Sequence, residues 1–420
     1  MTVLAAWPQR MVNPVRTYDW GSTTALARLQ GRHPSGEPEA ELWMGAHSTA
    51  PSSLAQVDGT VLPLDKAISQ HPGTMLGGHV HDRFGPRLPY LLKVLAIAQP
   101  LSLQVHPSAD RAKAGYEGEV DVLGDHNYVD PFAKPEMLYA LEPVDALCGF
   151  RPADEAGRLL NLLGTDRAGL LAGLLIGHGS EQHLLENVMR HLVTWPDDDR
   201  HGFVEEVGRE SRRLLAQAGP HAESVLSPED RRALTWASRL VQQHPHDPMV
   251  AAPFLLDLIR LEPGEVMFIP SGAPHAYLYG LGVEIMGNSD NVLRAGLTHK
   301  HVAVEEMLHI VDGDSRPVRD VPFTWLSPYE VAWVPEAAEF QLTRIWVTDV
   351  APVALYPGIA GPQILLCTSG PVTVTCPGTA LTLQPGQSAF VGASGGGTIS
   401  ISGPGEVFRA SAGGQRLPGL

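Results

Sequence analysis

Gln104, His106, Glu136 and His275 are the side chains in this chain best suited to gather around one metal ion. Leu101-Ser102-Leu103-Gln104-Val105-His106-Pro107 alternates with the period of a β-strand. Leu101, Leu103 and Val105 belong to one face and Ser102, Gln104 and His106 to the other. A hydroxyl, an amide and an imidazole on one face build a polar wall, and Gln104 and His106 can both reach one cation. Phe132-Ala133-Lys134-Pro135-Glu136-Met137 supplies a carboxylate. Pro135 biases Lys134 toward extended backbone. A strand there puts Lys134 and Glu136 on one face, a cation for a substrate beside an anion for a metal. His275 follows a Pro-Gly turn and a strand, and His275, Tyr277 and Tyr279 alternate onto one side. Two imidazoles, a carboxylate and a neutral oxygen suit a catalytic divalent ion that keeps a position open. The spacing fixes neither the metal nor the substrate.

A second group of residues suits proton transfer. In Gly282-Val283-Glu284-Ile285-Met286-Gly287, Val283 and Ile285 pack inward and leave Glu284 facing the other side. Asn288-Ser289-Asp290-Asn291-Val292-Leu293-Arg294 and Thr298-His299-Lys300 then bring an arginine and a lysine to the same region. A carboxylate base beside two cations fits an anionic substrate. Each residue also has a plainer reading. His106 or His275 alone is a hydrogen-bonded core histidine, Glu136 and Lys134 are surface charges, and glutamine is an uncommon zinc ligand. His33, His47, His71, His79, His81, His244 and His246 are read as surface or structural.

The elements that position these groups are legible in outline. Leu88–Ala98 reads as a buried strand, broken by Gln99-Pro100. From 151 to 259 the pattern turns helical. Leucines cluster at Leu159, Leu160, Leu162, Leu163, Leu170, Leu171, Leu174 and Leu175, and Leu185, Val188 and Leu192 share a helical face. Ser227-Pro228-Glu229-Asp230 is a helix start with a hydroxyl cap, a first-turn proline and acids at the positive dipole end. Leu261-Glu262-Pro263-Gly264 leading to Phe268-Ile269 recurs as Leu383-Gln384-Pro385-Gly386 leading to Phe390-Val391. The repeat points to a duplicated β-unit. The second copy continues as Ala393-Ser394-Gly395-Gly396-Gly397, without histidine or acid, so it is expected to bind no metal.

Composition narrows the function classes. The chain has 420 residues, 44% of them hydrophobic, enough for two or three domains. Its 43 Gly and 36 Pro favour a turn-rich β protein. A net charge of −16 repels nucleic acid and anionic membrane, so neither is an expected partner. A phosphorylated substrate would need a local cluster of Lys and Arg. The three cysteines, Cys148, Cys367 and Cys376, form no CxxC, which argues against a disulfide framework or a cysteine zinc site. Met1–Pro8 lacks the basic and apolar runs of a signal peptide, and no run of about 18 apolar residues suggests a membrane span. A cytoplasmic location is expected.

These residues resemble type I phosphomannose isomerase, the zinc-dependent mannose-6-phosphate isomerases of the cupin superfamily. The resemblance runs in order through Asn13-Pro14, Asp19-Trp20-Gly21, Ala40-Glu41-Leu42-Trp43-Met44-Gly45, Leu92-Lys93-Val94-Leu95, Leu101–Pro107, Lys134-Pro135-Glu136-Met137, Leu147-Cys148-Gly149-Phe150-Arg151-Pro152, Ile269–Tyr277 and Asn288–Thr298. It implies a mainly β fold: a cupin (jelly-roll) β-barrel catalytic domain over 1–150 plus 260–320, an α-helical insert over 151–259, and a metal-free cupin-like barrel over 321–420. It implies one zinc per chain on Gln104, His106, Glu136 and His275. Arg294 takes the catalytic arginine position, with Glu284 and Lys134 as the other catalytic candidates. Trp20, Glu41, Lys93, Ser102 and Lys300, with Lys134, fall where the pocket meets the sugar phosphate.

The implied reaction interconverts D-mannose 6-phosphate and D-fructose 6-phosphate through a cis-enediol. It serves carbohydrate metabolism and GDP-mannose biosynthesis, in a monomer whose partner is the sugar phosphate alone. Phe132-Ala133 departs from the family's usual Asn-His, and Ala46-His47-Ser48 from its Thr-His-Pro. Two rival readings use the same residues. Two His and a carboxylate suit an Fe(II) oxygenase, against which Gln104 and the cations argue. A non-catalytic sugar-binding cupin would need no base such as Glu284.

Overall fold

The apolar run forms a strand over Tyr90–Ile97 with every residue buried, as bulky apolar composition without alternation predicts. It pairs antiparallel with Glu41–Met44 on one side and with the 13-residue strand His275–Gly287 on the other. The computed structural model describes residues 8–56, 58–119, 126–218, 226–314, 319–348, 351–395, 398–415 and 417–419. Met1–Trp7, read above for a leader, and Gly396 and Gly397 lie outside the described residues.

The long strand serves two layers because it bends. Its start pairs with Gln104 and with the strand Val144–Phe150, and its end pairs with Tyr90–Ile97 and Glu136–Ala140. The register shifts between Tyr277 and Tyr279, and Gly280 follows with φ 133°. A Cβ at Gly280 would lie 2.5 Å from the Pro143 carbonyl oxygen, so only glycine fits the bend. The bulge also breaks the expected alternation. His275 and Tyr277 are buried, but Tyr279 turns outward and is 52% exposed.

The two faces of this sheet differ as period 2 requires. Leu42, Met44, Leu92, Val94, Met137, Tyr139, Val283 and Ile285 point to a core shared with Leu342, Ile364, Phe390 and Phe408 of a second sheet. Glu41, Trp43, Lys93, Glu136 and Glu284 point the other way, into a cleft. The second sheet has nine strands and is built mostly from 323–411. It also takes in Gln9–Val12, which lies between Ser388–Val391 and Ser53–Ala55. A smaller four-stranded sheet completes the C-terminal part. Among the described residues both layers of the first sheet end in open edges, so its hydrogen bonding does not close the barrel that the resemblance implied.

Helices fill the middle of the segment read as helical, and the strand Leu256–Leu261 begins before its expected end at 259. Five α-helices, Ala153–Leu162, Asp166–Leu174, Glu181–Val193, Arg200–Ala218 and Pro228–Gln243, fill most of 153–243. Leu185, Val188 and Leu192 form a buried face with Met189. The Ser227 hydroxyl accepts from Asp230 N at 3.1 Å, and Asp230 accepts in return from Ser227 N at 3.0 Å. Both Pro-Gly turns lead into strands, Val266–Ile269 and Ser388–Val391, with Gly264 and Gly386 at positive φ. The strand expected over 101–106 is shorter, Leu103–Val105, and ends ahead of Pro107.

Candidate metal centre

Strand register decides which side chains meet. Gln104 stands opposite His275 on one side and opposite Arg294 on the other. Glu136 stands opposite Met286, and Glu284 opposite Lys93, which in turn faces Trp43. Directly opposed residues in an antiparallel pair share a face. Four stretches far apart in sequence therefore deliver their polar groups to one place.

His106, Glu136 and His275 converge there, each no more than 2% exposed. Their ligand atoms all lie within 4.8 Å of one another, the one such group of three histidine, cysteine or acidic residues among the described residues. His106 Nδ1 is 2.9 Å from the Asn291 carbonyl oxygen, and His275 Nδ1 is 2.9 Å from that of Ala273. A carbonyl can only accept, so both Nδ1 atoms carry the proton and both Nε2 atoms present a lone pair. Those Nε2 atoms lie 3.0 Å and 3.5 Å from the two oxygens of Glu136. Yet His106 Nε2, His275 Nε2 and Glu136 Oε2 have no hydrogen-bond partner. Two imidazoles and a carboxylate, buried and aimed at one point, are the donor set a divalent ion requires, with the ring orientations set by backbone carbonyls. The residues present thus fit a metal. Gln104 lines the cleft beside Glu136.

The electrostatics agree. Burial, with Lys134 nearby, lowers His106 to about 4, so the imidazole stays neutral at physiological pH. Burial would raise Glu136, but Lys134 and His106 outweigh it and hold the carboxyl well below its ordinary range. Lys134 Nζ sits 3.2 Å from Glu136 Oε1, as the shared strand face implied.

Beside this group lies a second charged cluster. Lys93 Nζ is 3.2 Å from Glu284 Oε2 and 3.6 Å from Glu41 Oε2, and Glu41 also accepts from the Trp43 indole N–H. Burial opposes the Lys93 charge, but Glu41, Glu284 and Glu136 together hold it above its ordinary value. Glu284 is 2% exposed, and its pKa rises to about 7. Burial is the main cause; Lys93 opposes it, while Glu136 and Glu41 add to it. A carboxyl poised there exchanges protons at neutral pH.

Both clusters open into a cleft of roughly 1110 Å³. Trp20, Glu41, Lys93, Ser102, Gln104, Lys134, Glu136, Glu284, Arg294 and Lys300 all line it, while His106 and His275 are buried behind Glu136. Arg294 is half-buried, and Lys300 stands exposed at the rim.

Two polar residues that pair with each other in the cleft wall were not singled out from sequence. His47, set aside as structural, is buried in the wall, with Nε2 3.3 Å from Asp290 Oδ1 and Nδ1 3.0 Å from the Thr49 hydroxyl. Asp290 lines the same cleft. Both lie outside regular strands, so no periodicity aims them inward. The departure at Phe132-Ala133 turns away from the cleft chemistry: Phe132 lies beneath the Arg87 guanidinium, 3.3 Å from ring centroid to Cζ.

Comparison with known proteins places this arrangement. Residues 9–153 match the family model for phosphomannose isomerase type I, catalytic domain. The mannose-6-phosphate isomerase of Escherichia coli K12 is 34% identical over 415 residues, covering 96% of this chain and 98% of that protein. A crystal structure of a phosphomannose isomerase variant from Salmonella typhimurium, 31% identical, superposes with a TM-score of 0.82 over 96% of this chain and 99% of its own. A zinc-bound holo mannose 6-phosphate isomerase structure, 30% identical, also gives 0.82, over 97% of this chain and 99% of its own.

Proposed function

Since the chain belongs to the type I phosphomannose isomerase family, an aldose–ketose isomerase of mannose 6-phosphate, we propose that its cleft converts D-mannose 6-phosphate and D-fructose 6-phosphate through a cis-enediol. The observation that carries this reading is the pair of buried imidazole nitrogens, unpartnered and converging on Glu136, beside a carboxyl raised to about 7. Gln104, His106, Glu136 and His275 would hold one zinc ion. Zinc bound there would act as a Lewis acid toward substrate oxygens where negative charge develops.

The chain's own residues account for the rest. Glu284 removes the proton from C2 of the open-chain aldose and returns it to C1, while the O2 hydroxyl proton passes to O1. Lys93, clamped between Glu284 and Glu41, is the counter-ion that keeps this base from rising further. Arg294 stands beside Gln104 in register, so its charge faces the reacting oxygens. It is too basic to accept a proton and acts by electrostatic stabilisation. Lys134, in contact with Glu136, adds a second cation at that end. Lys300 at the rim and the Ser102 hydroxyl receive the phosphate, and Trp20 and Glu41 bound the sugar. Rim cations are what a −16 body needs to draw in an anion.

We also read the chain as a catalytic cupin region over 1–150 plus 260–320, a helical insert over 151–259, and a second, metal-free cupin-like region over 321–420. The repeated Pro-Gly turn supports this reading. No described helix is long and apolar enough to cross a membrane. A cytoplasmic monomer that acts on a sugar phosphate fits this reading. The test is a coupled assay for fructose 6-phosphate. Activity should vanish with EDTA and return with zinc. Zinc-loaded protein that binds the sugar phosphate without turnover would leave only the binding-module reading.

A further inference from the structure

A smaller cavity, roughly 470 Å³, lies against the catalytic cleft and shares His244, Thr298, His299 and Lys300 with it. One wall comes from the helical region, with Arg200 and 244–248, and the other from 295–304. A guanidinium, an ammonium and three imidazoles, those of His244, His246 and His299, border the space. They face a single carboxylate, Asp247. That carboxylate is already engaged, accepting from Met249 N at 2.9 Å and from Leu297 N at 2.5 Å. Arg200 uses only Nε, on the Trp195 carbonyl and Asp197, and Lys300 makes no ion pair among the described residues. Donors therefore outnumber free acceptors, in a chain whose net charge is −16. The floor is apolar, formed by residues such as Leu192 and Val302.

Arginine, lysine and histidine around a partly apolar hollow suit a tetrahedral oxyanion carried on a small organic body. We propose that this cavity is a second anion site, which takes the phosphate group of a small phosphorylated molecule. Such a ligand spans the helical region and the sheet. It meets Lys300, which also lines the cleft, so its occupancy alters how that lysine receives substrate.

The test uses zinc-loaded full-length protein and inorganic phosphate as the probe, measured by isothermal titration calorimetry. The cleft is kept saturated with an equilibrated mixture of mannose 6-phosphate and fructose 6-phosphate. Arg200 and His246 border only the smaller cavity, so the comparison protein carries Arg200→Gln and His246→Gln, with His246→Gln alone as a control against misfolding. The expected result is one equivalent of phosphate bound beside a filled cleft, weakened at least tenfold in the double variant and measurably in the single one, with kcat unchanged in the absence of phosphate. If the sugar phosphates themselves fill the cavity, wild type takes up two equivalents of them and the variants one, which supports the site and names its occupant. Where wild type takes up only one equivalent of sugar phosphate, phosphate displaced one for one by it, affinity unchanged in both variants, or no phosphate binding at all would overturn the proposal. The binding measurement needs no turnover, so it can fail while the isomerase reading stands, and the reverse.

Discussion

His106 and His275 each use Nδ1 on a backbone carbonyl, so a substitution at either leaves Glu136 facing one imidazole instead of two. His106→Ala or His275→Ala should therefore lose bound zinc, read by elemental analysis, together with turnover. Full activity in either variant would refute the ligand assignment. Glu284 makes a separable prediction. Glu284→Gln keeps the zinc donors and should retain the metal while kcat falls on the order of 10²–10⁴-fold. As a base, Glu284 must be ionised. Below its pKa the ionised fraction drops tenfold per pH unit, so kcat/KM should climb with pH toward about 7 and then level off. A divalent ion on Glu136 adds positive charge and moves that limb downward, never upward. An acid limb centred above about 8 would assign the proton shuttle to another group. The converging group of His106, Glu136 and His275 was legible because alternation along a strand tells which side chains share a wall. His47 and Asp290 escaped that logic because each sits in a loop, and their pairing exists only after the strands have been placed.

Local chemistry was the most legible part of the elements. Ser227, Pro228 and Asp230 lie within four residues, and the reciprocal cap they form depends on nothing distant. Ser227→Ala removes a hydroxyl from that cap and should cost about 1 kcal/mol. In a chain of this size that is a melting-point drop of about 2 °C or less, read by scanning calorimetry. The helix runs about 24 Å from that cap to its end near His244, at 1.5 Å per residue, so kcat should not change. A large loss of activity with a small loss of stability would show that the helical region is coupled to the cleft. Strand partners were far less legible. The pairing of Gln9–Val12 with Ser388–Val391 joins the two ends of the chain. Alternation reports a strand's faces but not its neighbour, so composition alone left the N-terminal segment with the catalytic region. The bulge before Gly280 was likewise hidden. It adds one residue to a strand without changing the strand's apolar character, and it sends Tyr279 outward.

At the scale of the molecule, the proposed donors come from separate segments that meet only when the two layers sharing His275–Gly287 are in place. The unfolded chain cannot present Gln104, His106, Glu136 and His275 at one point, so the ion binds the folded state alone. Folding and metal occupancy are therefore linked, with a stabilisation of about 2.7 kcal/mol at a free-ion concentration a hundred times the Kd. Without the ion, the interior holds one carboxylate oxygen and two imidazole nitrogens that lack partners, an arrangement that is costly to bury. EDTA should lower the melting temperature of the wild type, and added zinc should restore it. His275→Ala should melt at the lower temperature from the start and show no response to either reagent. A wild type whose melting point ignores EDTA, while its zinc content falls to zero, would break the link between this site and the fold. A variant at His275 that still responds would move the ion elsewhere.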